Sequence, residues 1–417
     1  MTPRELDVVV FGATGFTGKQ VVKQLSESGA IARWAVGGRR QQPLAELAKR
    51  YNAPGGVVVS DVNDPTSLLE MARNTRLVLN TTGPYRFFGE AVVKACIEAG
   101  ADYIDLCGEP EFMEAMLLKH QQEAVKAGVI ICHACAFDSV PADLGIWHCA
   151  ELFRKAGGEC GHVELFHEID VPLGYTGHVT TFEAAVHGVG SARNLHKVRK
   201  ELDGKFGTVP KATQILGPLP KHSGAWFWEP RLQRYALPFI GSDASVVRSS
   251  RRTMSSILNL PGMDRMMPQF GVYFTLKSRW SLFKMALAGS CFNFLAQRSW
   301  GRQLLLRFPR FFTMGAFSPE GPSKVQMENN KWIGHFFAAG LVKGERKEVV
   351  LRAELHDPGY LGTALLFVLV AKTLLEEKES LTAKKGVLTP AALLHDSKLL
   401  HRMSEHGVNF KIEKSDL

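Results

Sequence analysis

Three glycines near the start of the chain have the spacing and the context of a phosphate-binding loop. Gly12, Gly15 and Gly18 stand between a short β-branched run at 7–11 and a helical pattern that ends near Gly29. A strand that turns directly into a helix requires glycine, and a pyrophosphate requires bare backbone beside the helix N terminus. The alternative is a plain glycine turn in an α/β sheet. The loop predicts a dinucleotide site at Gly12, Ala13, Thr14, Gly15, Phe16, Thr17 and Gly18.

The end of the second predicted strand, at 34–39, indicates which dinucleotide binds. An NAD site usually has an acidic residue about twenty positions past the glycine loop, where it accepts hydrogen bonds from the ribose hydroxyls. This chain has Gly38, Arg39 and Arg40 there instead. A guanidinium binds a 2′-phosphate bidentately and stacks on adenine, so we expect NADP(H) to be preferred over NAD(H). The alternative is that both arginines are simply a solvated start of a helix.

Two further loops are placed to complete the cofactor site. Asp61 follows a third strand at 57–59 and is expected to touch the adenine edge, although a helix-capping role for Asp61 or Asp64 explains it equally well. A fourth strand at 77–79 leads into small residues that are expected beside the nicotinamide ribose. These residues are Thr82, Gly83 and Pro84.

Hydride transfer often needs a proton donor, and the candidate acids lie at the carboxyl edge of the predicted sheet. The candidates are Tyr85, Glu109 and Asp138, with Asp105 and Cys107 beside them. For each of them the alternative is a helix cap or a hydrogen-bonded loop residue. The catalytic residue therefore stays unknown at this level.

The cysteines indicate an intracellular protein without a metal site. Cys132 and Cys135 form a single CxxC around His133, and one such pair without a second is weak evidence for zinc. Seven cysteines, an odd number, are typical of a reduced compartment. The first residues run into a strand and carry Glu5 and Asp7, so a secretory signal is not expected.

Strands and helices alternate through the front third of the chain. Six predicted strands alternate with helices over about 135 residues, which is typical of a doubly wound parallel sheet. The predicted fold class is therefore α/β, with a Rossmann domain at 1–145. We expect a second α+β domain at 146–380, for substrate binding or dimerisation. The segment 381–417 is expected to form an amphipathic helix that packs back on the body.

The middle of the chain is strongly basic and rich in aromatic residues. The net charge is +9, and residues 190–320 hold 20 of the basic residues and only 6 acidic ones. In the basic aromatic segment 270–320, arginines alternate with Trp and Phe, and the stretch 281–317 has no acidic residue. This pattern favours peripheral contact with an anionic lipid surface, and a buried helix with a solvated basic edge is the alternative. No recognised nucleic-acid motif is present, so nucleic acid is not an expected partner.

Several motifs together resemble the saccharopine dehydrogenase-like oxidoreductases. They are GATGFTG at 12–18, VGGR at 36–39, NTTGPYRFFGEAVVKAC at 80–96, YIDLCGE at 103–109, FDSVPADLG at 137–145 and LPFIGSDASVVRSS at 237–250. The resemblance covers nearly the whole chain and extends distantly to mycobacterial trans-acting enoyl reductases of glycolipid synthesis. It implies a Rossmann domain, a second α/β domain and a nicotinamide-dependent oxidoreductase. It also implies association with a membrane or lipid droplet, with the mitochondrion as another location.

Two functions from different classes are compatible with these observations. The first is an NADP(H)-dependent oxidoreductase that acts on a lipid-derived or small carbonyl, imino or enoyl substrate at a membrane or lipid-droplet surface. The second is a lipid-surface scaffold or binding protein that keeps the Rossmann fold without turnover. A homodimer is compatible with either.

Overall fold

The computed structural model describes residues 4–212, 214–219, 222, 224–262 and 267–417. The chain divides into two compact units. The first contains Met1–Asp138 and Gly359–Arg402, and the second contains Ser139–Pro358 and Met403–Leu417.

The helices and strands follow one another in three stretches. The first alternates regularly: β1 (Leu6–Phe11), α1 (Phe16–Ser28), β2 (Trp34–Gly38), α2 (Gln41–Arg50), β3 (Val57–Val59), α3 (Pro65–Arg73), β4 (Thr75–Asn80), α4 (Tyr85–Ala99), β5 (Asp102–Asp105), α5 (Pro110–Ala127) and β6 (Ile130–Cys132). The second is mixed: α6 (Val140–Lys155), β7 (Gly158–Asp170), β8 (Gly177–His178), α7 (Val179–Gly190), α8 (Ala192–Phe206), β9 (Phe227–Glu229), β10 (Arg234–Pro238), α9 (Asp243–Arg252), β11 (Gln269–Leu276), α10 (Arg279–Ala296), α11 (Ser299–Arg307), α12 (Pro309–Phe312), β12 (Phe317–Ser318), α13 (Lys324–Asn329), β13 (Lys331–Val342) and β14 (Glu345–His356). The third completes both units: α14 (Leu361–Glu377), β15 (Gly386–Leu388), α15 (Pro390–Leu394), α16 (Leu399–Glu405) and β16 (Phe410–Ser415).

The first unit is built on a parallel sheet of seven strands, in the order β15-β6-β5-β4-β1-β2-β3. Its central strands are buried on both faces, and the β-branched run Val8–Val10 is fully inaccessible to solvent. The strand order reverses between β1 and β4. In an open α/β sheet, ligands bind at the carboxyl ends of the strands beside such a reversal. The predicted doubly wound parallel sheet is confirmed.

The second unit contains a mixed sheet of seven strands, in the order β16-β14-β13-β7-β11-β10-β9. Only β7 and β11 pair in parallel, and the other neighbours are antiparallel. Along β13 the side chains alternate between half-buried and buried from Lys331 to Ala338, because one face of the strand packs against α6. A second domain that mixes helices with such a sheet agrees with the α+β prediction.

The division into units corrects the predicted boundaries at 145, 380 and 381. Residues 359–402 belong to the first unit and not to a second domain at 146–380, because α14 is buried along most of its length and β15 adds to the parallel sheet beside β6. Residues 403–417 belong to the second unit, because β16 pairs with β14. The segment 381–417 therefore forms two strands and two short helices, α15 and α16, where one amphipathic helix was expected. Within the second unit, α7 and α8 meet at Ser191.

Helices α7, α10 and α11 in the second unit share a small core of their own. It is formed by Phe182, Val186, Leu295, Ala296 and Leu305. Of the 18 residues of α10, only Leu282, Leu295 and Ala296 are buried, so most of this apolar helix is exposed. Within the part of the chain that the structure describes, no helix combines the length and the hydropathy needed to span a bilayer.

Candidate active site

The glycine loop after β1 has no room for side chains at two of its three glycines. Gly12 has φ +86°, and a Cβ on it would lie 2.7 Å from Cγ2 of Thr82. A Cβ on Gly18 would lie 2.3 Å from the carbonyl oxygen of Gly12, where α1 approaches the loop. Gly15 caps α1 and is exposed. The loop therefore presents bare backbone to a ligand, as a pyrophosphate requires.

Backbone hydrogen bonds fix the loop in this shape. The N–H groups of Gly12 and Ala13 donate to the carbonyl of Gly37 at 3.0 and 3.1 Å, and Gly15 N–H donates to Gly12 at 2.9 Å. The first turn of α1 carries no acidic side chain. The positive end of the helix dipole is therefore not compensated, which favours an anion at this position.

The predicted adenine side lies at the ends of β2 and β3. Both Arg39 and Arg40 are exposed, and neither guanidinium has a hydrogen bond or an ion pair within the described residues. Two such cations can bind a phosphate without first breaking another contact. Asp61 accepts hydrogen bonds from the N–H and the side-chain amide of Asn63 at 2.9 and 3.1 Å, and the capping residue of α3 is Asp64. Asp61 thus orders the turn at this edge.

The predicted nicotinamide side lies after β4, next to the glycine loop. Thr81 donates to the carbonyl of Phe11 through both its N–H and its hydroxyl, at 2.8 and 2.9 Å. Thr82 donates through its N–H and its hydroxyl to the side-chain oxygen of Asn80, at 3.0 and 2.5 Å. Gly83 and Pro84 follow, joined by a cis peptide bond. The predicted residues of the β1 and β4 loops are therefore brought together at one place.

Tyr85 is occupied by structural contacts. Its hydroxyl donates to the carbonyl of Asn80 at 3.0 Å and accepts the N–H of Leu106 at 3.2 Å. Burial raises the pKa of the phenol well above its usual value, and the neighbouring Asp105 and Cys107 raise it further. The hydroxyl thus stays neutral and ties β4 to the turn after β5.

Glu109 and Asp138 differ sharply in their surroundings. Glu109 is buried, accepts the N–H of Tyr85 at 2.7 Å and pairs with Arg86 at 2.6 Å, so it completes the first turn of α4. Asp138 is exposed and lies beside Gly108. A Cβ added to Gly108 would lie 3.1 Å from the carboxylate of Asp138. Of the two, only Asp138 is open to solvent.

A buried pair that sequence reasoning did not identify lies at the ends of β5 and β6. His133 Nδ1 is 2.7 Å from a carboxylate oxygen of Asp105, and both side chains are inaccessible to solvent. In the sequence, Asp105 is a candidate acid and His133 lies within the CxxC, and nothing local links the two. The available signal was that Asp105 ends one strand of a parallel sheet and His133 directly follows the neighbouring strand. The thiols of Cys107 and Cys135 nearby are also buried, and burial raises the pKa of each well above its usual value.

The second unit carries an exposed apolar stripe on α10, formed by Trp280, Phe283, Leu287 and Phe294. These side chains recur at intervals of three, four and seven residues and therefore lie on one face. Trp280 and Leu287 are 65% and 63% exposed, and Phe311 beyond the helix is 77% exposed. Basic side chains border the stripe: the Arg298 guanidinium lies 3.7 Å from the ring centre of Phe294, and Lys284 lies 6.0 Å from that of Trp280.

Comparison with known proteins identifies the first unit as an NADP-binding domain. Residues 8–132 match the family model of the saccharopine dehydrogenase NADP binding domain. The chain is 35% identical to a saccharopine dehydrogenase-like oxidoreductase of Mus musculus, over 99% of this chain and 98% of the relative. It is 32% identical to a Caenorhabditis elegans protein named lipid droplet localized protein, over 98% of both chains. Apo saccharopine dehydrogenase (L-Glu forming) of Saccharomyces cerevisiae has the same fold, with a TM-score of 0.56, 13% identity, and coverage of 98% of this chain and 99% of that chain.

Proposed function

Since the chain belongs to the saccharopine dehydrogenase-like oxidoreductases and binds NADP through its first unit, we propose that it transfers hydride between NADP(H) and a lipid-derived or small carbonyl, imino or enoyl compound. We further propose that it does so at a membrane or lipid-droplet surface. The oxidoreductase part rests on the space between the β1 and β4 loops. Cβ atoms added to Gly12 and Gly18 would have no room there, so the loops present bare backbone to a ligand. Bound NADPH would supply the hydride.

Each end of the proposed cofactor site has its own task. Backbone N–H groups around Gly15 and the dipole of α1 would bind the pyrophosphate. Arg39 and Arg40 would bind the 2′-phosphate, since both are exposed and without an ion-pair partner in the described chain. Thr82 and Gly83 would line the nicotinamide ribose. The buried contacts of Asn80 and Tyr85 hold these loops in place.

Titration calorimetry with NADPH and NADH tests the cofactor part. We expect wild type to bind NADPH more tightly than NADH. The double variant R39A/R40A should lose at least about tenfold in NADPH affinity, since a hydrogen bond to a charged group contributes about 1.5–3 kcal/mol and 1.4 kcal/mol is tenfold. Its NADH affinity should not change. Arg50→Ala, at the other end of α2, is the matched control. Equal loss of both cofactors, or no loss, would contradict the proposed arginine role.

The lipid part is supported by the stripe on α10 and by its charge. A stripe of four half-exposed large apolar side chains is unfavourable in water, and burial of one such side chain contributes about 1.5–3 kcal/mol. The bordering Lys284 and Arg298 complement anionic headgroups. An interfacial helix of this kind lies in the plane of the surface and need not span it. The name of the worm relative agrees with this location.

Flotation with vesicles tests the lipid part. We expect the full chain to float with phosphatidylcholine vesicles that contain phosphatidylserine, and Phe283→Glu and Leu287→Glu to abolish flotation. Val325→Glu places the same charge at an exposed apolar position of α13, outside the stripe, and should have no effect. If wild type does not float with these vesicles at moderate salt, the proposal that the protein acts at a membrane or lipid-droplet surface is refuted.

A non-catalytic scaffold is the second candidate, and one observation favours it. Two of the acids expected from the sequence, Tyr85 and Glu109, are committed to structural contacts. NADPH binding and flotation without NADPH consumption on acyl, imino-acid or carbonyl compounds would support the scaffold over the enzyme.

A further inference from the structure

The carboxylate of Asp105 is held by four hydrogen-bond donors. One oxygen accepts the N–H groups of Cys107 and Ala134 at 3.0 and 3.1 Å. The other accepts the hydroxyl of Tyr103 at 2.9 Å and His133 Nδ1 at 2.7 Å. A carboxylate can accept about four such bonds, so the position of Asp105 is fully determined.

These contacts define the state of His133. Because a carboxylate only accepts, the Nδ1 atom of His133 carries a proton, and in the neutral ring Nε2 is left with a lone pair. His133 is 2% exposed, and Nε2 has no hydrogen-bond partner in the described part of the chain. Leaving a buried polar atom unpaired costs about 1–3 kcal/mol, so such an atom calls for an explanation.

A continuous chain of hydrogen bonds joins this histidine to the proposed cofactor loop. The hydroxyl of Thr82 donates to the Asn80 amide oxygen at 2.5 Å, and the Asn80 amide nitrogen donates to Tyr103 at 3.0 Å. Tyr103 then donates to Asp105. Apart from Tyr103, the second residue of β5, the members lie at the carboxyl ends of β4, β5 and β6, which is the edge where a parallel sheet binds ligands.

The surroundings of the pair show which side chains near it carry charge. The titratable groups beside Asp105 are Tyr85, Tyr103, Cys107 and Cys135, and burial raises the pKa of each above its usual value, so all four are neutral. Phe112 of α5, with its ring centre 5.2 Å from that of His133, adds no charge. Asp105 is then the negative charge in direct contact with the ring.

Building on the proposed oxidoreductase function, we propose that His133 Nε2 supplies and takes up the proton that accompanies hydride transfer, with Asp105 as its positioning residue. In the reducing direction the hydride adds with its electron pair to the carbon of a C=O or C=N bond. The π electrons move to the oxygen or nitrogen, which takes the proton from Nε2. The imidazolium becomes neutral imidazole, Asp105 keeps its negative charge, and NADPH is left as NADP⁺.

Nitrogen-15 NMR of the histidine rings in the full chain saturated with NADP⁺ tests the proposal without a substrate. The resonance that disappears in His133→Gln identifies His133. We expect Nδ1 to be protonated throughout, and Nε2 to change between its unprotonated and protonated chemical shifts within about pH 5–8, the range in which histidine serves as acid and base. An Nε2 that never takes up a proton in this range, or a ring with the opposite tautomer, would overturn the proposal.

Two variants and one binding measurement make the result specific. Asp105→Asn should alter which nitrogen of the His133 ring carries the proton. An unchanged nitrogen-15 spectrum of His133 in this variant would refute the positioning role of Asp105. His120→Gln is the matched control, since His120 is also buried but both its nitrogens already contact Glu123 and Glu90, at 2.7 and 3.1 Å. NADPH binding by calorimetry separates the two proposals. If wild type does not bind NADPH, the proposed function is refuted. If it binds NADPH but Nε2 shows no change of protonation, only the role of His133 is refuted.

Discussion

Substitution of Gly15 separates cofactor binding from folding. A Cβ on Gly15 would meet only the carbonyl oxygen of Gly12, at 3.2 Å, and its φ of −68° suits any residue. Gly15 is also exposed. We therefore expect Gly15→Leu to fold, with a change in the free energy of unfolding below about 1 kcal/mol. The new side chain would cover the backbone that the pyrophosphate needs.

The loss of NADPH affinity in Gly15→Leu follows from the contacts that it prevents. Each N–H bond to a charged phosphate contributes about 1.5–3 kcal/mol, and tenfold in affinity is 1.4 kcal/mol. Loss of one or two such bonds predicts a fall of at least about tenfold, measured by titration calorimetry beside urea unfolding. If Gly15→Leu bound NADPH as tightly as wild type, the glycine loop would not be the phosphate site.

Substitutions of two other glycines serve as comparisons for Gly15→Leu. A Cβ on Gly18 would lie 2.3 Å from the Gly12 oxygen and 3.0 Å from Ala13 Cα, both backbone atoms that cannot rotate away. Gly18→Ala should therefore lose about 1–3 kcal/mol of stability together with NADPH binding. Gly204 lies in α8 with no atom within 4 Å of an added Cβ, so Gly204→Ala should leave binding unchanged and stabilise by about 0.5–1 kcal/mol.

Three further predictions concern stability. The Glu168 carboxyl accepts a hydrogen bond from His335 at 3.4 Å and pairs with Arg234, and these two contacts hold its pKa below the usual value. The carboxylate therefore stabilises the fold above about pH 4.3, and this contribution is lost as the pH falls through the lowered pKa. The difference in Tm between wild type and Glu168→Gln should accordingly disappear in acid. Asp243 accepts the hydroxyl of Ser139 at 2.8 Å and faces His167 Nε2 at 3.0 Å, so Asp243→Asn should lose about 1–3 kcal/mol in urea unfolding, and a smaller loss would show that the buried contacts are replaced. Leu388 is buried in β15, so Leu388→Ala should lower the free energy of unfolding by about 2–5 kcal/mol. Leu417 is exposed, so Leu417→Ala should lower it by less than about 0.5 kcal/mol. Equal effects would mean that β15 is not part of the core.

The parts of the fold that depend on local pattern could be predicted from the sequence. The Val8–Val10 run, the glycine loop and the helix after it are set by neighbours in the chain, and the alternation of strands and helices then gives a parallel sheet. Cofactor type followed from Arg39 and the missing acid, and the match to an NADP-binding domain confirms it.

The parts that depend on distant contacts could not be predicted. The three residues of β15 are too few to show a strand pattern, and they become a strand only because β6 offers its edge. The six residues of β16 likewise pair with the edge of a distant strand, β14. The His133–Asp105 contact depends on the pairing of β5 with β6, in which Ile104 lies opposite Cys132. Likewise, Glu109 reaches Arg86 only once α4 and the turn after β5 lie side by side.

The C-terminal stretch has a consequence for how this protein is made. Strands β15 and β16 join different sheets, so the first sheet cannot be completed before residue 388 is synthesised, and the second cannot be completed before residue 415. Until then the nascent chain presents the open edges of β6 and β14, which are sites for unwanted pairing with other chains. We therefore expect biosynthesis of this protein to depend on chaperones that shield those edges, and a stop codon upstream of residue 386 to remove a strand from each of the two sheets.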